Sequence, residues 1–197
     1  MLKMGNCAQV TKEKQRYGIS ILSVSKMRRN SCGKTMTATG EIMLYSEMDE
    51  GENHERRVGL ILSKDATQSL LEWEPVSERD IRARVNSRWE QVTIIQCYAP
   101  TNEVTEKEKG DFYKQFKVVM EQVPCRDVTI VMGDTNAKVG TANAGREKVM
   151  GRHRARAERN ENGEKWAVFC QANERCSLTG SVINGLGCLL MVVLRIR

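Results

Sequence analysis

Apolar residues recur along this chain at two spacings, one typical of strands and one typical of helices. Short apolar runs predict strands at residues 19–25, 41–45, 58–63, 81–85, 92–98 and 128–132. Wider spacing predicts helices at residues 7–17, behind Thr105 and around Trp166. Strands and helices in this order favour an α/β domain whose sheets are at least partly antiparallel.

Two of the predicted strands are expected to pair with each other. Residues 81–85 read IRARV, the period-two pattern of a half-exposed strand. A turn at residues 86–88 separates them from residues 92–98, so we predict an antiparallel pair. Pro100 then ends the ladder, because proline has no amide hydrogen to donate.

The helix predicted after Thr105 has the clearest sequence signals for where a helix begins and ends. Thr105 with Glu108 three residues later resembles a capping box, and Pro124 closes the helix. Four apolar residues recur at helical spacing and predict a buried stripe: Phe112, Phe116, Met120 and Val123. We interpret this stripe as core rather than as a binding surface.

The segment at residues 127–140, DVTIVMGDTNAKVG, combines a buried strand with polar residues at its end. Asp134 and Asn136 would point the same way if the backbone stayed extended, because side chains alternate along a strand. Ligands of open α/β sheets gather at such strand ends. Glycine, aspartate and asparagine are also the usual turn residues, and from spacing alone an Asx-type turn is favoured.

Composition and charge narrow the class of protein. The chain has 197 residues, 40% of them hydrophobic, and we expect one domain over residues 1–197 with its own core. The formal net charge is +6, with basic clusters at residues 26–29 and 152–159. A solvated face is the commoner explanation for each cluster, and contact with DNA phosphates is the alternative.

Cysteine usage and hydropathy predict the compartment. The seven cysteines are scattered without a CxxC pair, which favours reduced thiols and argues against a zinc site or disulfide framework. No signal-peptide core precedes Gly5, and the apolar run at residues 188–194 is too short to cross a bilayer. We therefore expect an intracellular protein, nuclear or cytoplasmic, without a membrane partner.

Six sequence blocks in order carry a resemblance to a known family. They are ILSVSK (21–26), TATGE (37–41), VGLILSK (58–64), IQCYAPTN (95–102), GDTNAKVG (133–140) and RNENGEKWAVFC (159–170). The set resembles the endonuclease/exonuclease/phosphatase superfamily. More narrowly, it is similar to the endonuclease domain of RTE-type non-LTR retrotransposons and to the craniofacial development protein 2-like proteins derived from them. The resemblance covers about residues 5–178, and residues 179–197 diverge from it.

The resemblance implies a fold, a cofactor and three site residues. The fold is a four-layer α/β sandwich of two mixed sheets flanked by helices, and the activity is Mg²⁺-dependent cleavage of a DNA phosphodiester. Tyr98 would hydrogen-bond the scissile phosphate, Asp134 would orient the attacking water, and Asn136 would hold the phosphate. We take these as inherited positions rather than as working ones.

Departures from the family pattern bear on activity. The family's metal-binding glutamate follows the ILSVS strand, where this chain has Lys26. An ammonium group cannot coordinate a hard dication, so we assign no metal ligand and expect no bound Mg²⁺. The family's early asparagine strand and its late Asp-His pair have no counterpart, so we expect a domain truncated at both ends. His54 and His153 are not candidates, and Arg154 and Arg156 stand where the family tends to have glycines.

Three functional hypotheses follow. The first is a degenerate, catalytically inactive endonuclease-like domain of retrotransposon origin. The second is a non-catalytic nucleic-acid-binding module that uses the basic clusters. The third is an active phosphodiesterase in which an acid between Glu47 and Glu55 replaces the metal ligand. For the fold, we expect marginal stability, with the apolar tail at residues 189–196 serving as a substitute strand or remaining a sticky end.

Overall fold

The computed structural model describes residues 4–25, 33–46, 57–138, 158–172, 176–180 and 190–195. Several residues named above lie outside these ranges: Lys26 with its basic cluster, the acids at 47–55, His54, His153, Arg154 and Arg156. The chain divides into two compact units, Met1–Tyr98 and Ala99–Arg197. Both contain helices and strands, and the predicted α/β class is confirmed.

The first unit begins with a helix and a four-stranded antiparallel sheet. The helix is α1 (Met4–Arg16), and the strands are β1 (Ile21–Ser25), β2 (Gly33–Met36), β3 (Ile42–Tyr45) and β4 (Val58–Leu62). The strand order is β1-β4-β3-β2. Val10 of α1 belongs to the core cluster formed by Leu22, Val24, Met43, Tyr45 and Ile61. A buried ion pair at 2.8 Å joins Lys14 Nζ to Glu41 Oε1.

The helix predicted at residues 7–17 is observed as α1, which begins three residues earlier and ends one residue earlier. The helix stops at Arg16, and Gly18 has φ +62°, the left-handed conformation that glycine adopts without a steric penalty. The amide of Gly18 donates to the carbonyl of Gln15, and the amide of Ile19 donates to the carbonyl of Lys14, both at 3.0 Å. These bonds satisfy carbonyls at the end of the helix and turn the chain into β1.

The rest of the first unit is α2 (Lys64–Gln68) followed by an antiparallel meander of β5 (Leu70–Pro75), β6 (Asp80–Asn86) and β7 (Gln91–Tyr98). The predicted pairing of residues 81–85 with residues 92–98 is confirmed, since Arg82 lies opposite Ile95 in the ladder. β7 packs against β1 within this unit, because Gln96 Nε2 donates to Ser25 Oγ at 3.2 Å. Gln96 also contacts Ser23.

The second unit contains α3 (Glu106–Glu121), β8 (Val128–Asp134), α4 (Glu161–Ala172), β9 (Cys176–Gly180) and β10 (Leu190–Arg195). β10 lies between β8 and β9 and is antiparallel to both, with Val192 opposite Val131 on one side and Leu178 on the other. The hypothesis that the apolar tail serves as a substitute strand is therefore confirmed.

The buried face of α3 differs from the prediction by one residue. Phe112, Phe116 and Val123 are buried as expected, but Val119 is buried and Met120 is only partly covered. Steps of four, three and four residues from Phe112 to Val123 follow the 3.6-residue period more closely than a run through Met120. Phe116 packs against Trp166 of α4, with ring centroids 5.5 Å apart.

Within the described ranges, no helix combines the length and the apolar character that crossing a bilayer requires.

Candidate functional site

Asp134 and Asn136 are joined by a turn at the end of β8. Asp134 is the last residue of the strand, and its Oδ1 accepts a hydrogen bond of 3.0 Å from the amide of Asn136. Asn136 has φ +48°, a left-handed conformation that asparagine tolerates better than most residues. The Asx-type turn favoured from spacing is confirmed. The extended backbone on which the expected alignment of the two side chains depends is not observed, because β8 ends at Asp134 and Asn136 is in the left-handed conformation.

The side chain of Asn136 also hydrogen-bonds to Ala99, the first residue of the second unit. Its Nδ2 donates to the carbonyl of Ala99 at 2.7 Å, and the amide of Ala99 donates to the carbonyl of Asp134 at 2.9 Å. One of the two carboxamide hydrogens is thus used by the backbone. The other hydrogen and Oδ1 are the groups with which Asn136 could contact a ligand.

Asn160 holds this turn in place from the start of α4. Its Nδ2 donates to the carbonyl of Asn136 at 2.9 Å, and its Oδ1 accepts from the amides of Lys138 and Gly163, both at 2.8 Å. Its own amide donates to the carbonyl of Lys138 at 3.1 Å. With one side chain, Asn160 therefore caps α4 and hydrogen-bonds to the backbone of Asn136 and Lys138.

Gly163 is required by the same close approach. A Cβ atom built on Gly163 would lie 1.9 Å from the carbonyl oxygen of Lys138, far inside van der Waals contact. Only glycine lets α4 approach residues 136–138 so closely. Neither Asn160 nor Gly163 was a candidate from sequence. The signal that could have found them is the Asn-Glu-Asn-Gly run at residues 160–163, in which an N-cap asparagine precedes glycine by three positions.

One buried amide hydrogen bond and a set of ion pairs join the segment at the start of α3 to the start of α4. Asn162 is fully buried, and its Nδ2 donates to the carbonyl of Pro100 at 2.7 Å. Lys109 Nζ contacts Glu106 Oε1 at 2.9 Å and Glu161 Oε2 at 2.5 Å, and Lys165 Nζ contacts Glu106 Oε2 at 2.6 Å. A hydrogen bond with Glu161 and the ammonium groups of Lys165 and Lys109 hold the pKa of Glu106 at about 2.

Tyr98, the third inherited position, ends β7 in the first unit. It is 6% exposed, its amide donates to the carbonyl of Arg79 at 2.9 Å, and Arg79 Nη1 donates back to the Tyr98 carbonyl at 3.3 Å. The guanidinium of Arg79 lies 5.8 Å from the centroid of the Tyr98 ring.

A buried carboxyl group, Asp80, begins β6. Ser77 Oγ donates to Asp80 Oδ2 at 2.8 Å, and burial raises the pKa of Asp80 to about 6.

The structure thus brings Asp134 and Asn136 together in the second unit, and it places Tyr98 beside Arg79 in the first. Mg²⁺ takes near-octahedral oxygen ligands, usually with one or two carboxylates. In the part of the chain that the structure describes, no three His, Cys, Asp or Glu side chains cluster so that they could hold a metal. Asp134 already accepts a hydrogen bond from Asn136. The described residues therefore do not fit the ion that the family resemblance implies.

Comparisons with known sequences and solved structures identify the fold of this chain. No protein-family model matches the sequence. Craniofacial development protein 2 from Bos taurus and from Tragulus javanicus are each 29% identical over 171 residues, which is 86% of this chain and 28% of theirs. The solved endonuclease domain of TRAS1, a telomere-specific non-LTR retrotransposon, matches 95% of this chain and 78% of its own with a TM-score of 0.58 and 12% identity. The chain has the endonuclease/exonuclease/phosphatase fold.

A second solved structure supports this assignment of the fold. An endonuclease/exonuclease/phosphatase family protein from Leptotrichia buccalis matches 95% of this chain and 80% of its own, with a TM-score of 0.54 and 11% identity. The resemblance found from the six sequence blocks is confirmed. Because the chain spans only 28% of the length of the curated relatives, the activities of those whole proteins do not transfer to it directly.

Proposed function

We propose that this chain is a retrotransposon-derived, endonuclease-like domain that binds DNA through its phosphates and does not hydrolyse them. The observation that carries the proposal is the state of the inherited site. Asp134 and Asn136 are bonded to each other and to backbone groups, in a region where the described residues supply no cluster of metal ligands. The chain keeps the fold, while its described residues offer no donor set of the kind on which the family chemistry depends.

The loss of hydrolysis follows from several missing parts at once. Lys26 stands at the position of the family's metal glutamate, and residues 179–197 do not match the family's Asp-His motif. Removing one preorganised electrostatic group commonly costs about 10²–10³ in rate. Groups that act as a unit do not contribute independently, so these costs cannot be multiplied. Even one such loss, however, would make turnover slow.

Binding to DNA is supported by charge and by the remaining polar groups of the turn. The sequence has a pI of about 9.0 and two basic clusters, and Lys138 is exposed directly beyond Asn136. Lysine and arginine at a DNA surface neutralise phosphates and release counterions, so such binding weakens as salt is added. Contacts of this kind position a protein on DNA without reading its sequence.

Nicking of supercoiled plasmid in Mg²⁺ or Mn²⁺ tests the absence of hydrolysis. We expect the wild-type chain and the Asp134→Ala variant to leave the plasmid intact to the same degree as buffer alone. An active relative with the same fold serves as the positive control. Nicking by the wild type that Asp134→Ala abolishes would show that the chain is an active nuclease.

Fluorescence anisotropy with a labelled DNA duplex tests binding. The logarithm of the affinity should fall linearly with the logarithm of the salt concentration, with a slope of about 0.9 for each phosphate contacted. Replacing Lys26, Arg28 and Arg29 by alanine should weaken binding and reduce this slope. Replacing Lys107, Lys114 and Lys117 of α3 removes the same charge and is the matched control. Equal effects of the two triple variants would contradict a DNA-binding surface at residues 26–29.

An active phosphodiesterase with a substituted metal ligand is the second candidate. It is favoured only by the acids between Glu47 and Glu55, which lie outside the described ranges. Calorimetric titration with Mn²⁺ separates the two proposals, because the first expects no saturable binding. Tight binding that is lost when these acids are replaced by their amides would favour the second candidate.

A further inference from the structure

The turn between β6 and β7 presents an exposed indole ring at one end of the meander. Trp89 is 83% exposed, the largest fraction among the large hydrophobic side chains that the structure describes. The other two tryptophans are covered, because Trp166 is fully buried and Trp73 of β5 is half-buried. Trp89 therefore adds little to the core, and its ring is open to a ligand.

Hydrogen bonds within the turn hold the backbone of Trp89 in a fixed position. Ser87 Oγ accepts from the amides of Trp89 and Glu90, at 3.4 Å and 3.2 Å. The amide of Ser87 donates to the carbonyl of Glu90 at 3.2 Å, and the amide of Asn86 donates to the carbonyl of Ser69 at 2.7 Å. A ring on a backbone that is already ordered loses less conformational entropy when it binds a ligand.

Arg88 places a positive charge beside the exposed ring. Its guanidinium lies 5.2 Å from the centroid of the Trp89 ring. Within the described part of the chain Arg88 forms no ion pair, whereas Arg82 on β6 pairs with Glu74 at 2.8 Å. The arginine of the strand is thus neutralised by its neighbour, and the arginine of the turn can attract an anion.

A second exposed aromatic residue, Tyr17 after α1, provides a comparison. It is 64% exposed, and the guanidinium of Arg16 lies 5.8 Å from the centroid of its ring. Arg16 Nη1, however, also lies 3.7 Å from Glu13 Oε2, which offsets its charge. Exposure of an aromatic ring beside an arginine is therefore shared by both positions, and an arginine without an ion pair distinguishes the Trp89 turn.

An unpaired nucleic-acid base with its phosphate matches these two groups. Every base has a flat face that can stack on an indole ring, and a guanidinium hydrogen-bonds to phosphate oxygens. A base within a duplex is already stacked on its neighbours, so a single strand offers the exposed face. Another protein could also cover an apolar ring, but the formal net charge of +6 favours an anionic polymer.

We propose that Trp89 and Arg88 form a contact for single-stranded nucleic acid, in which one base stacks on the indole ring and Arg88 binds an adjacent phosphate. β7 runs from this turn to Tyr98, so about 23 Å of strand separates the contact from the inherited site. The inference rests on the proposed function and adds to it a contact that takes unpaired strands.

Titration of the full chain with an oligothymidylate tests the contact. Stacking should quench the fluorescence of the wild type, because Trp89 is its most exposed tryptophan. Trp89→Leu should weaken binding about tenfold, measured by anisotropy of the labelled strand, whereas Trp89→Phe keeps a ring and should retain most of the affinity. Tyr17→Leu removes the exposed ring after α1 and should leave both quenching and affinity unchanged.

The charges of the turn test whether a phosphate takes part. Arg88→Gln should weaken binding and lower the slope of log affinity against log salt by about 0.7, the value for one phosphate of a single strand. Glu90 is exposed in the same turn and repels phosphate. Glu90→Gln should therefore strengthen binding about twofold, the size expected for one exposed charge. An unchanged slope in Arg88→Gln would overturn the role of Arg88.

Two results would overturn the stacking contact. One is an equal affinity of the wild type and Trp89→Leu for the single strand. The other is an equal loss in Trp89→Leu and Trp89→Phe, since stacking on a base needs a ring. Self-association in sedimentation that Trp89→Leu abolishes, with no change in affinity for the strand, would assign the ring to a second copy of the chain instead.

Fully paired DNA separates this inference from the proposed function. Trp89→Leu should bind a blunt duplex as the wild type does. A wild-type chain that binds the duplex in a salt-dependent way, but is not quenched by the single strand, would overturn this inference alone. A wild-type chain that binds the single strand through Trp89 but binds no duplex would contradict the proposed function and leave the contact in place.

Discussion

At the residue scale, one asparagine side chain organises the end of β8. Asn160 caps α4 and bonds to the backbone of Asn136 and Lys138, so it sets the conformation in which Asn136 is presented. Asp134 and Asn136 stood out in the sequence because polar residues directly follow a buried strand. Asn160 did not, because 24 positions separate it from Asn136 and only the fold makes the two neighbours.

Asn160→Ala should lower the free energy of unfolding by about 2 kcal/mol, since it removes a helix cap and leaves backbone groups of residues 136–138 without partners. Asn160→Asp keeps an acceptor for the amides of Lys138 and Gly163 but cannot donate to the carbonyl of Asn136. It should therefore lose less stability than the alanine variant. Urea unfolding measures both, and equal losses would contradict the division of roles between Oδ1 and Nδ2.

The raised pKa of the buried Asp80 predicts that stability falls as the pH rises. Its pKa is raised from 3.8 to about 6 in the folded chain, so between these values the folded state binds more protons than the unfolded state. Its contribution to the free energy of unfolding therefore falls as pH rises from 4 to 6, by at most about 3 kcal/mol. Asp80→Asn keeps an oxygen to accept from Ser77 and removes the titration.

Urea unfolding at pH 4 and pH 7 checks this prediction. Asp80→Asn should be more stable than the wild type at pH 7, and the difference between the two should shrink at pH 4. The comparison isolates Asp80, because all other carboxylates titrate in both proteins. A variant that is less stable than the wild type at pH 7 would contradict the burial of a charged carboxylate at this position.

At the element scale, the helices of the second unit differ in how much of their packing the sequence reveals. The cap and the buried face of α3 depend on residues within a few turns of one another, and the pattern predicted them with one correction, Val119 for Met120. α4 depends on a contact with residues 136–138 that no local spacing encodes. β2, α2, β5 and β9 were not predicted, because segments of four to six residues are too short to carry a clear periodic signal.

Two glycine-to-alanine changes in these helices should have opposite effects. Gly163→Ala would place a methyl group against the carbonyl of Lys138, and it should cost about 2 kcal/mol or more because the backbone must move. Gly110→Ala in α3 meets no atom within 4 Å and should stabilise the chain by about 0.5–1 kcal/mol through helix propensity. Chemical denaturation of both variants checks the prediction, and a stabilising Gly163→Ala would refute the close approach of α4 to Lys138.

At the scale of the whole molecule, residues 190–195 decide whether the second unit has a continuous sheet. β10 pairs with β8 on one side and β9 on the other, so it covers strand edges that would otherwise be open. The expectation of marginal stability stays a prediction.

Deleting residues 190–197 should remove cooperative unfolding and increase aggregation, because β8 and β9 would each lose the strand paired between them. Near-UV circular dichroism during urea unfolding, together with light scattering, measures both effects. A deletion of residues 1–3 serves as the control for shortening the chain at the other end and should leave the transition unchanged. A truncated chain that unfolds with the wild-type midpoint would show that β10 contributes little to the fold.

The sequence by itself determined the α/β class, the family resemblance, the β6–β7 pair, the cap of α3 and the candidate positions Tyr98, Asp134 and Asn136. All of these depend on local periodicity, turn chemistry or ordered motifs, which are written along the chain. Only the tertiary structure decided that Asn160 and Gly163 hold the turn after β8 and that β10 lies between β8 and β9. Those features depend on which distant segments meet, and contacts between distant segments leave no mark in the spacing of neighbouring residues.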